Sequence, residues 1–312
     1  MKGRSVRGEG RLFDRKRGAE LALIGVTVIW GLTFVFTKKS LHELEPFVFL
    51  AWRFAIAFGA MALLCIPRYS KMSRGVLGAG ALLGTVLFSS YAFQTFGLEH
   101  TSAGNAGFIT GLFIVFTPLL AWAFLGQKQS LKAVLAVALA LAGLALLSLS
   151  PGLSVNPGDA MVLVCAFSYS VHIILLDRYA GRYDISLLTL VQMGTLFALN
   201  TGAGFAFETV RVPATGYVWM SLAVCGVLAS ALAFYIQAYA QRVLSPTRTS
   251  MVLIMEPVFS LAFGMILLGE RLGPRGWVGC ALILAGMVVT ELPSRAPGEP
   301  PGSGEDGVGA GR

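Results

Sequence analysis

Three ionisable side chains, Arg53, His172 and Glu256, stand within long apolar stretches of this 312-residue chain. Inside a membrane protein such a group usually faces a cavity, where it binds a solute or carries a proton. Arg53, about 10 Å into its helix from Pro46, suits either an anion site or a tether to loop carbonyls. Glu256 precedes Pro257, which removes a backbone donor and can kink a helix. We therefore consider both proton coupling and a purely structural role for Glu256.

His172 shares a helix face with Tyr169, one turn earlier. An imidazole titrates near neutral pH, but a histidine among apolar residues is also an ordinary packing residue, and both interpretations stay open. No acidic or cysteine side chain lies at ligand spacing from His172, and the 4 cysteines show neither metal-site nor disulfide spacing. The sequence therefore predicts no metal site and no cofactor.

The composition identifies lipid as the main solvent of this protein. Hydrophobic residues make up 55% of the chain, charged residues only 13%, and the mean hydropathy is +0.73. A membrane-spanning helix needs about 20 mostly apolar residues. The sequence predicts an all-α polytopic membrane protein with ten transmembrane helices and little remaining chain for a soluble domain. The predicted helices are 19–37, 46–66, 75–98, 102–125, 131–149, 158–176, 185–207, 217–241, 246–268 and 273–290.

The net charge of +8 raises the question of a nucleic-acid partner, and the positions of the basic residues argue against one. With the N-terminus in the cytoplasm, 18 of the 24 basic residues fall in cytoplasmic segments, a bias that agrees with the positive-inside rule. We predict a multi-pass protein of the cytoplasmic membrane with both termini inside. The basic tail, residues 1–18, either attracts anionic lipids or is a disordered topogenic segment, and residues 292–312 are predicted to be disordered. The predicted outer segments hold only Lys38, Lys39, Arg211, Arg271 and Arg275.

A shift of 143 positions superimposes the second half of the chain on the first. It places Gln94 on Gln237, Ser102 on Ser245, Gly126 on Gly269, and Ala142-Gly143 on Ala285-Gly286. Five helices per copy is an odd number, so the second copy must be inverted relative to the first. We predict two inverted five-helix repeats, residues 19–150 and 151–291, which is a plan typical of secondary transporters.

Neutral polar and aromatic residues complete the candidate cavity. Gln94 and Gln237 are related by the repeat and suit alternate gates. Among the aromatic residues of these helices, which include Phe34, Phe93 and Tyr235, Trp30 is the best candidate for solute contact. The glycine stripe at 104, 107 and 111 predicts close helix packing. The residues that we predict to line or gate the cavity are Trp30, Arg53, Gln94, Asn105, Tyr169, His172, Gln237 and Glu256.

Several motifs resemble the EamA type of the drug/metabolite transporter superfamily, from residue 19 to 291. They are Trp30-Gly31-Leu32-Thr33-Phe34, Gly107-Phe108-Ile109-Thr110-Gly111, Glu256-Pro257, Leu268-Gly269-Glu270-Arg271-Leu272 and Gly276-Trp277-Val278-Gly279. The resemblance implies two inverted five-helix repeats around a central cavity and alternating access for amino acids, metabolites or drugs, often moved outward. The chain departs from the family pattern at Gln127, where an acidic residue is usual, and at Ser168-Tyr169-Ser170. The Glu256-Pro257 pair aligns with Phe113-Ile114, so the carboxylate has no equivalent in the first copy.

Other classes of membrane protein fit the sequence less well. An intramembrane enzyme needs a metal pair, a nucleophile elbow or paired aspartates, and these motifs are missing. A channel would show charged rings or a filter-like loop. A receptor or scaffold remains an alternative. We predict a secondary transporter, not an enzyme, that exports small organic solutes with or without proton coupling, contacts membrane lipids and can form a homodimer through its small-residue helix faces.

Overall fold

The described part of the chain folds into helices. The computed structural model describes residues 3–125, 131–148, 156–244, 249, 252–253 and 255–291, and these residues contain no β-strand. The helices are α1 (Gly3–Ser40), α2 (Pro46–Cys65), α3 (Arg74–His100), α4 (Ala103–Thr110), α5 (Phe113–Leu125), α6 (Leu131–Ser148), α7 (Pro157–Ala180), α8 (Ile185–Phe207), α9 (Gly216–Ala223), α10 (Ala233–Val243), α11 (Glu256–Leu268) and α12 (Pro274–Glu291). A 3₁₀ segment, Ile66–Lys71, follows α2, and a π-helical segment, Val224–Leu232, joins α9 to α10.

The lengths of the apolar helices confirm an all-helical membrane fold. Within the described residues, six stretches are long and apolar enough to cross a membrane and four are shorter. Each predicted helix falls on one of these stretches. The inverted ten-helix arrangement stays a prediction, because the four shorter helices fall below the about 20 residues of a full span. The long stretches are Lys16–Ser40, Pro46–Lys71, Arg74–His100, Pro157–Ala180, Ile185–Phe207 and Gly216–Val243; the shorter are Ala103–Thr117, Val134–Leu147, Glu256–Leu268 and Pro274–Val289.

Two of the predicted helices are interrupted. The fourth splits into α4 and α5 at a turn, Gly111–Leu112. The ninth has a turn at Met255, directly before α11, whose first turn contains Pro257. The 143-residue shift places Phe113, the first residue of α5, on Glu256, the first residue of α11. The two interruptions therefore fall at equivalent positions of the sequence repeat.

The basic N-terminal segment is helical from Gly3, which differs from the disordered one of the two alternatives that the sequence left open for residues 1–18. Helix α1 begins at Gly3 and continues without a break to Ser40. No proline stands between Met1 and Ser40, so the backbone meets no helix breaker before the apolar part begins. The predicted disorder of residues 292–312 lies outside the described residues.

At one end of the bundle, glutamate side chains from three loops accept hydrogen bonds at the N-termini of helices that are distant in sequence. Glu208 accepts hydrogen bonds of 3.0 and 2.9 Å from the N–H groups of Phe47 and Val48, the second and third residues of α2. Glu270 accepts 2.7 and 3.0 Å bonds from the first two N–H groups of α4. Glu43 accepts a 2.6 Å bond from the hydroxyl of Thr215, before α9, and this bond holds the pKa of Glu43 below its ordinary value. Negative charge at a helix N-terminus is favourable, so these contacts stabilise the loop ends.

At the opposite end, cationic side chains join other loops. Arg242, near the end of α10, donates to the carbonyl oxygens of Ala180 and Tyr183 at the end of α7. Arg68, after α2, lies 3.8 Å from Asp184, which begins α8. The loops that follow α2, α7 and α10 thus share one end, and those that follow α1, α8 and α11 share the other. The helices that end in these loops therefore run in opposite directions through the bundle: α2, α7 and α10 run one way, and α1, α8 and α11 run the other.

Candidate functional site

A cavity opens among helices from both halves of the chain. It contains about 390 Å³ of empty space, a figure that includes open solvent at its mouth. Five of the eleven lining residues are aromatic, and the others supply hydroxyl, amide and thiol groups and one carboxyl group. The lining residues are Trp30, Thr33, Phe34, Ser90, Tyr91, Gln94, Thr110, Cys165, Tyr169, Phe234 and Glu256.

Helical spacing explains which side chains reach the cavity. Helix α1 contributes positions 30, 33 and 34, α3 contributes 90, 91 and 94, and α7 contributes 165 and 169. Residues three or four apart share one face of an α-helix, so each helix presents a single stripe to the cavity. Helices α4, α10 and α11 add one lining residue each, near the interruptions or the π-helical segment.

The indole of Trp30 is fixed by a backbone carbonyl of the π-helical segment. Its Nε1 donates a 2.8 Å hydrogen bond to the carbonyl oxygen of Ala229. In the same segment, the Ser230 hydroxyl donates to the carbonyl oxygen of Cys225, five residues earlier, at 2.8 Å. A π-helix changes the hydrogen-bond pattern of the backbone and is frequent at functional sites. Trp30 therefore has a fixed position on the cavity wall.

Arg53 is buried behind the cavity wall and does not line the cavity. Its side chain is 2% exposed. Its Nε donates to the Ser230 hydroxyl at 3.0 Å, one terminal nitrogen donates to the Tyr91 hydroxyl at 3.3 Å, and the guanidinium lies 4.6 Å from the centre of the Tyr91 ring. Among the described residues, Arg53 and Glu256 form no ion pair. This geometry joins α2, α3 and the π-helical segment.

Glu256 is the single carboxyl group among the lining residues. Its side chain is 3% exposed, and its Oε2 has no hydrogen-bond partner. A charged carboxylate without a partner is expensive to bury. Its position at the start of α11, next to Pro257, places it at the interruption of the ninth helix. The carboxyl group is therefore positioned to take a proton or a cation from the cavity.

A second layer of polar side chains lies behind Tyr169. The Tyr169 hydroxyl donates a 3.1 Å hydrogen bond to Gln237 Oε1, and Gln237 Nε2 has no partner. His172 stacks on the Tyr169 ring at 5.8 Å, and its Nε2 lies 2.9 Å from Gln192 Oε1. Gln237 and His172 thus contact a lining residue without lining the cavity themselves. Within the described residues no cluster of His, Cys, Asp or Glu could hold a metal ion.

The two remaining candidates differ in position. Gln94 lines the cavity and donates a 3.2 Å hydrogen bond to the Thr110 hydroxyl. Asn105 is only partly buried and is not a lining residue; its backbone N–H donates to Ser102, which caps α4. The structure therefore brings Trp30, Gln94, Tyr169 and Glu256 together, as candidates whose functional roles stay predictions.

Sequence comparison identifies the family. The model of the EamA-like transporter family matches the chain twice, over residues 17–149 and 156–292. The chain belongs to the EamA-like transporter family. It is therefore a multi-pass membrane protein of a transporter family, and the resemblance inferred from its motifs is confirmed.

Similar EamA-type proteins cover most of the chain. An uncharacterized transporter of Archaeoglobus fulgidus is 30% identical over 275 residues, 88% of this chain and 86% of that protein. A protein of Streptantibioticus cattleyicolor, described as a probable terminal-alkyne amino-acid exporter, is 28% identical and covers 86% of this chain and 91% of its own length. A crystal structure with 20% identity and a TM-score of 0.66 covers 88% of this chain and 96% of its own. At that identity, the match supports the fold alone.

Seven of the eleven lining residues of this EamA-like chain lie outside the predicted set, and Tyr91 and Phe234 are the two that the repeat relates. Tyr91 and Phe234 are related by the 143-residue shift, and their rings meet in the cavity at 6.2 Å and 66°. The repeat was the signal that could have found them, because it had already paired Gln94 with Gln237. Phe93 and Tyr235, two of the aromatic candidates, are not lining residues.

Proposed function

We propose that this protein is a secondary transporter that exports small organic solutes across the cytoplasmic membrane by alternating access. The observation that carries the proposal is the cavity between the two family-matched halves, with the unpartnered carboxyl group of Glu256 in its wall. Transporter sites commonly lie near such interrupted helices at the interface of repeats. Family membership supports transport, and the named exporter among the relatives supports outward movement.

The inverted repeat is part of the proposal, and the helix packing supports it. Helix α6 packs against α12, and α2 packs against α8. Each pair joins a helix to its equivalent in the other half of the sequence. In the first pair, a Cβ on Gly143 would lie 2.6 Å from the carbonyl oxygen of Gly279, and a Cβ on Gly286, the repeat equivalent of Gly143, would lie 2.7 Å from the carbonyl oxygen of Ala136, the equivalent of Gly279. Such reciprocal contacts are expected of two copies related by a two-fold axis.

The proposed orientation places both termini in the cytoplasm. The end that carries Glu43, Glu208 and Glu270 then faces outward, and the end that carries Arg68 and Arg242 faces inward, in agreement with the positive-inside rule. Acyl chains of the lipid would cover the exposed apolar side chains of the membrane-spanning helices. A homodimer through small-residue helix faces remains part of the same proposal.

Proton coupling through Glu256 gives the transporter a driving force. A carboxyl group buried without a partner can alternate between binding a proton and binding a solute, and each ligand displaces the other. Outward movement of solute would then accompany inward movement of protons. Only the second copy of the repeat has a carboxyl group at this position, because Phe113 occupies the equivalent position of the first copy.

The proposal is tested in proteoliposomes that enclose a pH-sensitive dye. Amino acids, nucleosides, sugars and cationic drugs are added in turn, and the movement of solute and of protons is recorded. We expect at least one solute to move protons through the native protein and through Glu99→Gln, whose carboxyl group is exposed at the end of α3. Glu256→Gln should lose that coupling.

Two results would contradict the proposal. Unchanged pH dependence in a well-folded Glu256→Gln protein would remove Glu256 from the coupling role. A well-folded native protein that moves no solute across the proteoliposome membrane would argue against transport and favour a receptor or scaffold.

A further inference from the structure

The side chains that line the cavity give it an acidic character. Among the lining residues that the structure describes, Glu256 is the one carboxylic acid, and none is a lysine, arginine or histidine. Its Oε2 is buried without a hydrogen-bond partner. A solute in contact with this wall meets a site for positive charge and no matching site for negative charge.

The two nearest cationic candidates are occupied by other contacts. Arg53 donates to Ser230 and Tyr91, and its guanidinium lies 4.6 Å from the centre of the Tyr91 ring. His172 lies behind Tyr169 and contacts Gln192. Arg53 is 2% exposed and is not a lining residue, so a solute carboxylate in the cavity does not meet its guanidinium. The cavity as built therefore disfavours a free carboxylate.

Aromatic rings account for five of the ten other lining residues. Trp30 and Tyr169 meet at 82°, Trp30 and Phe234 at 48°, and Tyr91 and Phe234 at 66°. Rings at these steep angles surround a space on several sides and do not stack into one layer. Such rings pack against an apolar body, and their faces attract an ammonium group within about 6 Å. Gln94 and Thr110 already bond each other, so the carboxyl group of Glu256 is the main free polar anchor.

We propose that this cavity binds a singly charged organic amine with an aromatic or apolar body and no carboxylate, its ammonium group on Glu256 and its body among the rings of Trp30, Tyr91, Tyr169 and Phe234. This inference rests on the proposed transport function, because it names the solute class of the same cavity. One carboxylate neutralises one positive charge, so a proton and the amine compete for Glu256.

The test uses three compounds with the same phenol ring and two-carbon chain. Tyramine carries an ammonium group, tyrosine adds a carboxylate, and tyrosol carries a hydroxyl group in place of the ammonium. Binding to the purified full-length protein in detergent is measured by isothermal titration calorimetry. We expect tyramine to bind at least tenfold more tightly than tyrosine or tyrosol. This comparison uses only the native protein and does not depend on the folding of a variant.

Variants then locate the anchor. Glu256→Gln should weaken tyramine binding at least tenfold and leave tyrosol within twofold, whereas Glu99→Gln should leave both unchanged. Tyrosine binding as tight as tyramine binding would overturn the inference. So would tyramine affinity that persists in Glu256→Gln, or the absence of tyramine binding to native protein that unfolds cooperatively.

Transport of the same compounds separates this inference from the proposed function. In proteoliposomes, movement of tyrosine or tyrosol without tyramine would refute the solute class and leave the transporter function intact. Glu256-dependent binding of tyramine without movement across the membrane would keep the binding inference and refute transport by this cavity.

Discussion

An added methyl group at Gly107 should disrupt the packing of α4 on α11 more than at any other glycine of α4. A Cβ on Gly107 would lie 1.8 Å from Ser260 Oγ and 2.4 Å from Ser260 Cβ. Ser260 stands one turn after Glu256 on α11, and its hydroxyl donates a 2.9 Å hydrogen bond to the carbonyl oxygen of Ala103. Gly107→Ala must therefore move the helix face that carries Glu256.

The expected cost follows from three effects. Overpacking a tight contact costs about 1–3 kcal/mol, and loss of the Ser260 hydrogen bond adds about 0.5–1.5 kcal/mol. Replacing a helical glycine by alanine returns about 1 kcal/mol. We therefore expect Gly107→Ala to lower the free energy of unfolding by about 0.5–3.5 kcal/mol. Gly25→Ala is the matched control, since its Cβ would meet nothing within 4 Å and should be neutral or slightly stabilising.

The assay is unfolding of the detergent-solubilised protein in a titration with dodecyl sulfate, followed by circular dichroism. The double variant Gly107→Ala/Ser260→Gly removes both atoms that the new methyl group would strike. It should recover much of the lost stability relative to Gly107→Ala alone, which is the coupling that a double-mutant cycle measures. Equal stability of Gly107→Ala and Gly25→Ala, or a double variant no better than Gly107→Ala, would refute the packing argument.

Three further predictions concern the loops and the π-helical segment. Glu43→Ala should lower the thermal unfolding temperature at pH 7. The hydrogen bond from Thr215 lowers the pKa of Glu43 from its ordinary value of 4.5, so the stability that this carboxylate adds is lost as the pH falls below about 4.5 and through the lowered pKa. The difference between variant and native protein should therefore shrink in acid, and a constant difference down to pH 3 would contradict this. Glu270→Ala should destabilise the protein by about 1 kcal/mol or more, since two N–H groups of α4 lose their acceptor, and Glu270→Gln should keep part of that stability in the same unfolding assay. Trp30→Phe should cost about 1–3 kcal/mol by leaving the carbonyl oxygen of Ala229 without its 2.8 Å partner, and an unchanged unfolding midpoint would show that another donor replaces the indole.

The helical membrane fold could be predicted because it depends on hydrophobicity averaged over long stretches of the sequence. Apolar stretches of about 20 residues need no tertiary contact to be recognised, and the glycine stripe that includes Gly107 correctly indicated close packing, here against Pro257 and Ser260. The turn at Gly111–Leu112 was not predicted. The proline of its segment, Pro118, lies beyond the turn, and only the equivalent interruption near Pro257 had a local signal.

The π-helical segment illustrates what periodicity cannot predict. Val224–Leu232 is an apolar run that fits an ordinary helix equally well. Its geometry is tied to distant side chains, because Trp30 binds the carbonyl oxygen of Ala229 and Arg53 binds Ser230. A signal that depends on contacts more than 170 residues apart is not present in the local sequence.

The position of Arg53 shows the same limit at the site. The sequence justified an anion site or a structural tether equally, since both uses place an arginine inside a membrane helix. Its hydrogen bonds to Ser230 and Tyr91 favour the tether, because they join three helical segments. No spacing rule connects position 53 to position 230, whereas Trp30 and Glu256 could be chosen from residue type and local context.

The two halves of the chain differ at the position of Glu256, and this difference limits how many charges the cavity can neutralise. Phe113, the equivalent of Glu256, is fully buried, and its ring meets Tyr169 edge-on at 4.9 Å. A second carboxylate at that position would displace an apolar contact and bring two like charges toward one cavity. In the proposed transport cycle, with Phe113 in place, a single carboxyl group must serve both the inward-facing and the outward-facing states. We therefore expect an exchange of one proton for one monovalent amine, since a divalent amine would leave one charge without a partner.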